Sequence, residues 1–342
     1  MTTLPSPHAA PEVPPSPNDT PEFTPGATGA LLPAGATVLV ATDGSALAGN
    51  AARVAAALAD RAAVAARAIH VVDTRAMPLP PPVDLAIALG DDLVGAGVHA
   101  EQELEVRAGI ERAVGGAVDW PVHLAIGRPA AEIGREAERV GAALVVVGLQ
   151  PHARLARLGR DETVVALMRA GTRPVLGVAE SLAGMPRRAH VAVDFTRASL
   201  GAARGALALI APGGTLTLAY VPPLPLYDPA DGEHLVHSLG VDAAFAWFER
   251  ALAAPADVRV ERAVLRGRQP CPAAELLLAH AEASGADLLA LGNRRHGRVE
   301  RLLLGSTTTD VVRDGRVSVL AVPPGTADDG DLPRPHTPST VY

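Results

Sequence analysis

The sequence predicts an α/β fold built twice: two tandem doubly wound, five-stranded parallel sheets with helices on both faces. Three observations predict it. Short, continuous apolar runs recur, as in parallel strands buried on both sides. Ala-rich helical stretches alternate with those runs, and right-handed crossovers distribute such helices over both faces. The whole order β-α-β-α-β-α-β-α-β then repeats within the chain. The 342 residues suit two domains at roughly 100–200 residues each. An apolar content of 48% is enough for sizeable cores.

The elements follow in order. Unit one opens with the run Thr37–Thr42 closed by Asp43, and unit two with His190–Val193 closed by Asp194. A helix begins near Ser45 and near Thr196, each containing Ala-Ala-Arg (Ala51 to Arg53, Ala202 to Arg204). Second strands are expected at Ala68–Val72 and Thr215–Val221. Pro-rich connections lead to helices over His99–Val114 and Gly240–Leu252. Third strands are expected at Pro121–Ile126 and Val258–Leu265. Pro-Ala-Ala at 129–131 and 272–274 opens the next helices, with Pro at its favoured early position. Leu144–Gly148 matches Leu288–Gly292, and Pro174–Val178 matches Ser318–Val322 as last strands. From Gly148 and Gly292 onward the units align without a gap. Ligands of such sheets bind beyond the carboxyl ends of the strands. Asp43, Asp194, Gly148 and Gly292 are expected there.

The units are expected over residues 35–181 and 186–324. Residues 1–34 and 325–342 are rich in Pro, Thr and small residues, and are expected to be disordered tails. The first stretch carries no Arg and no long apolar core, so it does not read as a secretory signal. No apolar run approaches the roughly 20 residues that span a bilayer.

Composition excludes several chemistries. Every basic side chain is Arg or His, and Lys is absent. A Walker phosphate loop and a Schiff-base enzyme both need Lys, so both are excluded. The single cysteine, Cys271, forms neither a disulfide framework nor a Cys-rich zinc site and fits a reducing, cytoplasmic location. It reads as a small residue near a helix start. The formal net charge of −7 disfavours nucleic acid or an anionic membrane as partner. The eleven His residues are scattered, with no His-Glu-x-x-His zinc motif and no Asp-rich calcium loop. Asp43-Gly44-Ser45 lacks the Gly-x-Ser-x-Gly elbow of a hydrolase.

An Asp closing strand one, a Gly-x-Pro-Ala stretch before a helix, a Val-Val-Gly fourth strand and the run Arg298–Ser306 together resemble the universal stress protein family, over nearly all of residues 35–324. The resemblance implies an adenine nucleotide α-hydrolase-like fold, with the units forming a pseudo-two-fold pair through their last strands. It also implies no strong turnover. Nucleotide-binding members carry Gly-x2-Gly-x9-Gly-(Ser/Thr) after strand four. Glycines let the backbone approach phosphates, and the N–H groups of the following helix attract anions.

Unit two keeps most of that pattern in Gly292, Gly305 and Ser306. Arg295 replaces the second glycine, with Gly297 two residues on. Arg294, His296 and Arg298 surround it, either as charge-assisted phosphate contacts or as a solvated basic loop. By resemblance, ATP would be bound by Asp194, Val221, Gly292, Arg295, Gly297, Gly305, Ser306 and Thr307. Unit one departs further. Pro151 replaces the second glycine, and Asp161 and Glu162 stand where unit two has Gly305 and Ser306. Two carboxylates there would satisfy the helix N–H groups and repel a triphosphate, so unit one is expected to be degenerate for ATP. Asp43 and Asp194 are open between two readings, ligand contact and capping of the neighbouring helix. The alternative for the whole chain is a nucleotide-free interaction module that keeps only the fold.

Overall fold

The computed structural model describes residues 31–73, 93–149, 161–222, 233–267, 271–293 and 306–324. Residues 1–30 and 325–342 of the expected tails, residues 74–92 and 223–232 of the Pro-rich connections and the segment 294–305 lie outside the described residues. Residues 31–34, expected to belong to the first tail, are described, and Leu32 is buried in the core because its apolar side chain packs there.

Unit one runs β1 (Thr37–Thr42), α1 (Ala46–Ala62), β2 (Ala65–Asp73), α2 (Leu93–Val114), β3 (Val122–Gly127), α3 (Pro129–Arg139), β4 (Leu144–Gly148), α4 (Asp161–Ala170) and β5 (Val175–Val178). Unit two runs β6 (Arg188–Val193), α5 (Arg197–Leu209), β7 (Thr215–Tyr220), α6 (Glu233–Leu252), β8 (Arg259–Val264), α7 (Ala273–Ser284), β9 (Leu288–Gly292), α8 (Ser306–Asp314) and β10 (Ser318–Val322).

Local chemistry sets the helix ends. Ser45 caps α1, its hydroxyl accepting from the Ala48 amide at 3.2 Å. Thr196 caps α5 in a reciprocal capping box with Ser199, which satisfies two otherwise orphaned amides. Pro129 occupies the first turn of α3, where its missing N–H costs nothing. Helix α7 stops at Gly285, which takes the left-handed conformation at φ +62° open to a residue without Cβ.

The strands form one ten-stranded sheet in the order β3-β2-β1-β4-β5-β10-β9-β6-β7-β8. Each unit contributes a parallel half, and the halves meet through the antiparallel pair β5–β10. The expected union of the last strands is therefore present, and it turns two sheets into one. Each β5 or β10 edge would otherwise present unpaired backbone groups and apolar side chains.

Alternation along the strands sends side chains to two layers. One apolar cluster lies on the α1, α2, α5 and α6 side and includes Val38, Val40, Leu176, Val191 and Leu320. The other lies on the α3, α4, α7 and α8 side and includes Leu39, Val145, Val175, Leu289 and Val319. Both run through both units. Polar contacts also cross the junction: the Ala179 amide donates to Ser318 Oγ at 3.1 Å, Asn293 Nδ2 donates to the Met168 carbonyl at 3.1 Å, and the Arg61 guanidinium donates to the Ile210 carbonyl. Among the described residues no helix is long and apolar enough to cross a membrane.

Candidate functional site

In each half the strand order reverses between the first strand and the fourth, at β1/β4 and β6/β9. Crossovers leave these strands in opposite directions there, opening a crevice at the carboxyl ends. Asp43 follows β1 and Asp194 follows β6, both exposed at that rim.

The two aspartates do the same local work. Asp43 Oδ1 accepts from the Ser45 amide at 3.0 Å. Asp194 Oδ1 accepts from the Thr196 amide at 3.1 Å and from its hydroxyl at 2.5 Å. Each carboxylate thus holds the turn from strand into helix by accepting from the amide two residues on. The helix caps themselves are Ser45 and Thr196, so the capping reading of the two aspartates gives way to a turn immediately before the cap.

Gly148 and Gly292 have a definite steric reason. A Cβ on Gly292 would lie 2.2 Å from the Ala198 carbonyl oxygen and 2.9 Å from the Ser199 nitrogen. On Gly148 it would lie 3.0 Å from the Leu47 carbonyl carbon. Both glycines let the first turn of α1 or α5 press against the end of the fourth strand. Gly292 therefore serves helix–strand packing whatever else it contacts.

In unit one the crevice is a cavity of about 370 Å³. Ile69, Val71 and Val147 supply apolar wall, and Asp43, His70 and Thr163 supply polar groups. His70 Nδ1 lies 2.9 Å from the Thr42 carbonyl oxygen. A carbonyl only accepts, so Nδ1 carries the hydrogen and Nε2 is the acceptor of the neutral ring. Helix α4, whose first residues are Asp161 and Glu162, borders the same cavity through Thr163 and Val164.

In unit two, α8 opens with Ser306, Thr307, Thr308 and Thr309 and has no acidic residue in its first turn. Thr308 and Thr309 are buried and Thr307 is half-buried. Val221 follows β7, half-buried. Among the site residues named from sequence, Asp194, Val221, Gly292, Ser306 and Thr307 fall at the carboxyl end of this half. Arg295, Gly297 and Gly305 lie outside the described residues.

One feature of unit two escaped the sequence reading. Phe195 adopts φ +58°, a left-handed conformation that a bulky residue rarely takes. Its ring is buried against Tyr220, Phe245 and Phe248 at centroid distances of 4.9, 5.1 and 6.2 Å. Burial, together with the Asp194 charge, pushes the Tyr220 phenol pKa up. The available signal was Phe195 standing where unit one has Gly44.

Elsewhere, Cys271 Sγ donates to Glu275 Oε2 at 3.1 Å, which raises the thiol pKa. Among the described residues no group of three His, Cys, Asp or Glu side chains is placed to hold a metal ion.

Comparison with known proteins follows the same two units. The model of the universal stress protein family matches residues 36–178 and again residues 185–323. Among solved structures, a universal stress protein from Archaeoglobus fulgidus DSM 4304 is 19% identical, with TM-score 0.55, covering 85% of this chain and 97% of that one. A functionally unknown protein from Pseudomonas aeruginosa PAO1 is 18% identical, with TM-score 0.51, covering 85% and 93%. A protein described as a putative universal stress protein from Pseudomonas aeruginosa UCBPP-PA14 is 17% identical, with TM-score 0.51, covering 86% and 95%. At these identities the structural likeness shows the fold. No curated protein matches the chain.

Proposed function

The chain belongs to the universal stress protein family, with two family domains in tandem, and from that premise we propose that it is an adenine-nucleotide-binding stress protein whose ATP site is in unit two. The proposal takes the domains as residues 35–181 and 186–324. It assigns no strong turnover and a cytoplasmic location, which the single cysteine suits.

The observation that carries the reading is the contrast between α8 and α4. Helix α8 starts at the carboxyl end of the sheet with four hydroxyl residues and no carboxylate in its first turn. An α-helix N-terminus with free N–H groups favours an anion, and hydroxyls can donate to phosphate oxygens. Helix α4 starts with Asp161-Glu162, two carboxylates that would disfavour a phosphate at that helix start. Preceding α8 in sequence are Gly305 and the residues Arg294, Arg295 and Arg298, which add positive potential. Asp194 and the backbone of Val221 are proposed for the ribose and adenine.

Equilibrium binding of labelled ATP tests this. Wild type is expected to bind one ATP, and Gly305→Asp to lose it. Undiminished binding by Gly305→Asp would refute the phosphate site. No binding by wild type at millimolar ATP would leave the family fold serving as an interaction module without nucleotide.

A further inference from the structure

We propose that unit one carries a small-molecule site in the groove between α1 and α2, adjoining the crevice at the carboxyl end of the sheet with which it shares Thr42, Ser45, Leu47 and Ala48, and that it takes a flat, uncharged aromatic ligand. The groove encloses about 730 Å³, within the range of roughly 300–1,000 Å³ typical of small-molecule pockets. Gly44, Gly49 and Ala52 line it from one side, Val106, Gly109 and Ile110 from the other.

The internal repeat provides the control. In both units the same contact fixes the two helices: an Arg guanidinium on the first donates to a carbonyl near the C-terminus of the second. Arg53 reaches the Ala113 carbonyl at 3.1 Å, and Arg204 reaches the Ala251 carbonyl at 2.8 Å. This correspondence equates Gly44 with Phe195, Gly49 with Leu200, Gly109 with Trp247 and Ile110 with Phe248. Unit two fills the space with its own rings. Phe195 packs edge-on to Phe245 and Phe248, and Trp247 packs edge-on to Phe248. Unit one has the same helix pair without the rings. A Cβ built on Gly44 or on Gly109 meets nothing within 4 Å, whereas one on Gly49 would lie 3.3 Å from Ala113 Cβ, so the helices close together there and the open space lies at Gly44 and Gly109.

The ligand class follows from what lines the groove. Its walls are small and apolar, matching the face of a ring. Its polar groups do not favour one sign. Glu105, Glu180 and Arg112 lie on it together, while Arg53 is engaged by the Ala113 carbonyl and Asn50 Oδ1. Asn50 Nδ2 in turn donates to the Glu180 carbonyl at 2.9 Å. An uncharged aromatic ring therefore fits better than a phosphorylated or strongly anionic molecule.

The experiment is saturation-transfer NMR and calorimetry on the full chain, with indole, quinoline and 2-naphthol as probes. At least one probe is expected to bind wild type at millimolar concentration or below. Gly44→Phe restores the residue that unit two carries, at a backbone conformation close to that of Phe195. It is expected to weaken binding by at least about tenfold. Gly109→Trp fills the groove from the opposite wall and is expected to do the same, so failure of one variant to fold leaves the other decisive. Gly305→Asp, which tests the nucleotide site, is expected to leave probe binding unchanged. Absence of binding by all three probes, or undiminished binding in whichever filled variant folds, would overturn the proposal without touching the nucleotide reading.

Discussion

Leu176 and Leu320 face each other directly across the antiparallel junction of β5 and β10, and both are fully buried. They occupy equivalent positions in the repeat. The flanking pairs, Gly177 with Val319 and Val175 with Ala321, exchange under the same equivalence, so the Leu176–Leu320 pair marks the pseudo-two-fold axis. Because both apolar layers continue through this point, the units share their cores instead of merely touching.

Truncating one member of this pair should therefore be felt by the whole chain. Leu320→Ala is expected to cost about 2–5 kcal/mol through lost burial and the cavity left behind. Urea unfolding should show one transition with a lowered midpoint. Two separate transitions, with only unit two shifted, would contradict a shared core.

Gly292→Ala should be more damaging than Gly148→Ala. The new Cβ would sit 2.2 Å from a backbone oxygen at Gly292, but 3.0 Å from the nearest backbone atom at Gly148. Forcing α5 away from β9 is expected to cost about 1–3 kcal/mol. Thermal melts of the two variants compared side by side check the order.

His190 gives the protein an acid-sensitive element in unit two. It is 2% exposed on β6, with Nε2 3.0 Å from Ser284 Oγ and Nδ1 3.3 Å from His280 Nδ1. Burial, with a smaller contribution from the His280 charge, lowers its pKa from 6.5 to about 4. The unfolded chain therefore takes up the proton first as pH falls. This contribution to stability is complete above about pH 6.5 and is lost as pH falls towards about 4, by about 3 kcal/mol. His190→Leu, which installs the residue found at the equivalent Leu39, should flatten that part of the stability–pH curve. An unchanged slope would show that other groups set it.

Asn293 is the polar counterpart of Leu149, each following its fourth strand and each donating its amide to a last-strand carbonyl at 2.8 Å. Its Nδ2 reaches Met168 across the junction, whereas its Oδ1 is buried with no partner among the described residues. Asn293→Leu removes one hydrogen bond and one orphaned acceptor together. It is expected to change stability by less than about 1 kcal/mol. A chemical denaturation midpoint reads this directly, and a loss several times larger would mean that Oδ1 has a partner.

The strands were legible because each is a short apolar run between turn residues, and their order followed from the repeat. Their ends were less so. β2 extends to Ala65–Asp73, beyond the expected limits, because pairing with β1 and β3 extends what local composition starts, and α2 begins at Leu93 rather than His99. Ser45, Thr196 and Pro129 announced helix starts through side-chain chemistry that acts within three residues. The steric role of Gly292 depends on Ala198, far away in sequence, so no local pattern could display it. The same holds for Phe195, whose ring partners come from β7 and α6. Comparing the units position by position would have exposed the exchange of Gly44 and Gly109 for Phe195 and Trp247, but their equivalence in space becomes evident only with the Arg53 and Arg204 contacts in place.

The most direct test of the central claim is native mass spectrometry of the full chain equilibrated with millimolar ATP, alongside Gly305→Asp and the double variant Asp161→Gly, Glu162→Ser. The expected result is one adenine nucleotide per wild-type chain and none on Gly305→Asp, with any second nucleotide confined to the double variant. No nucleotide on wild type, or the same single nucleotide retained by Gly305→Asp, would contradict an ATP site at the N-terminus of α8.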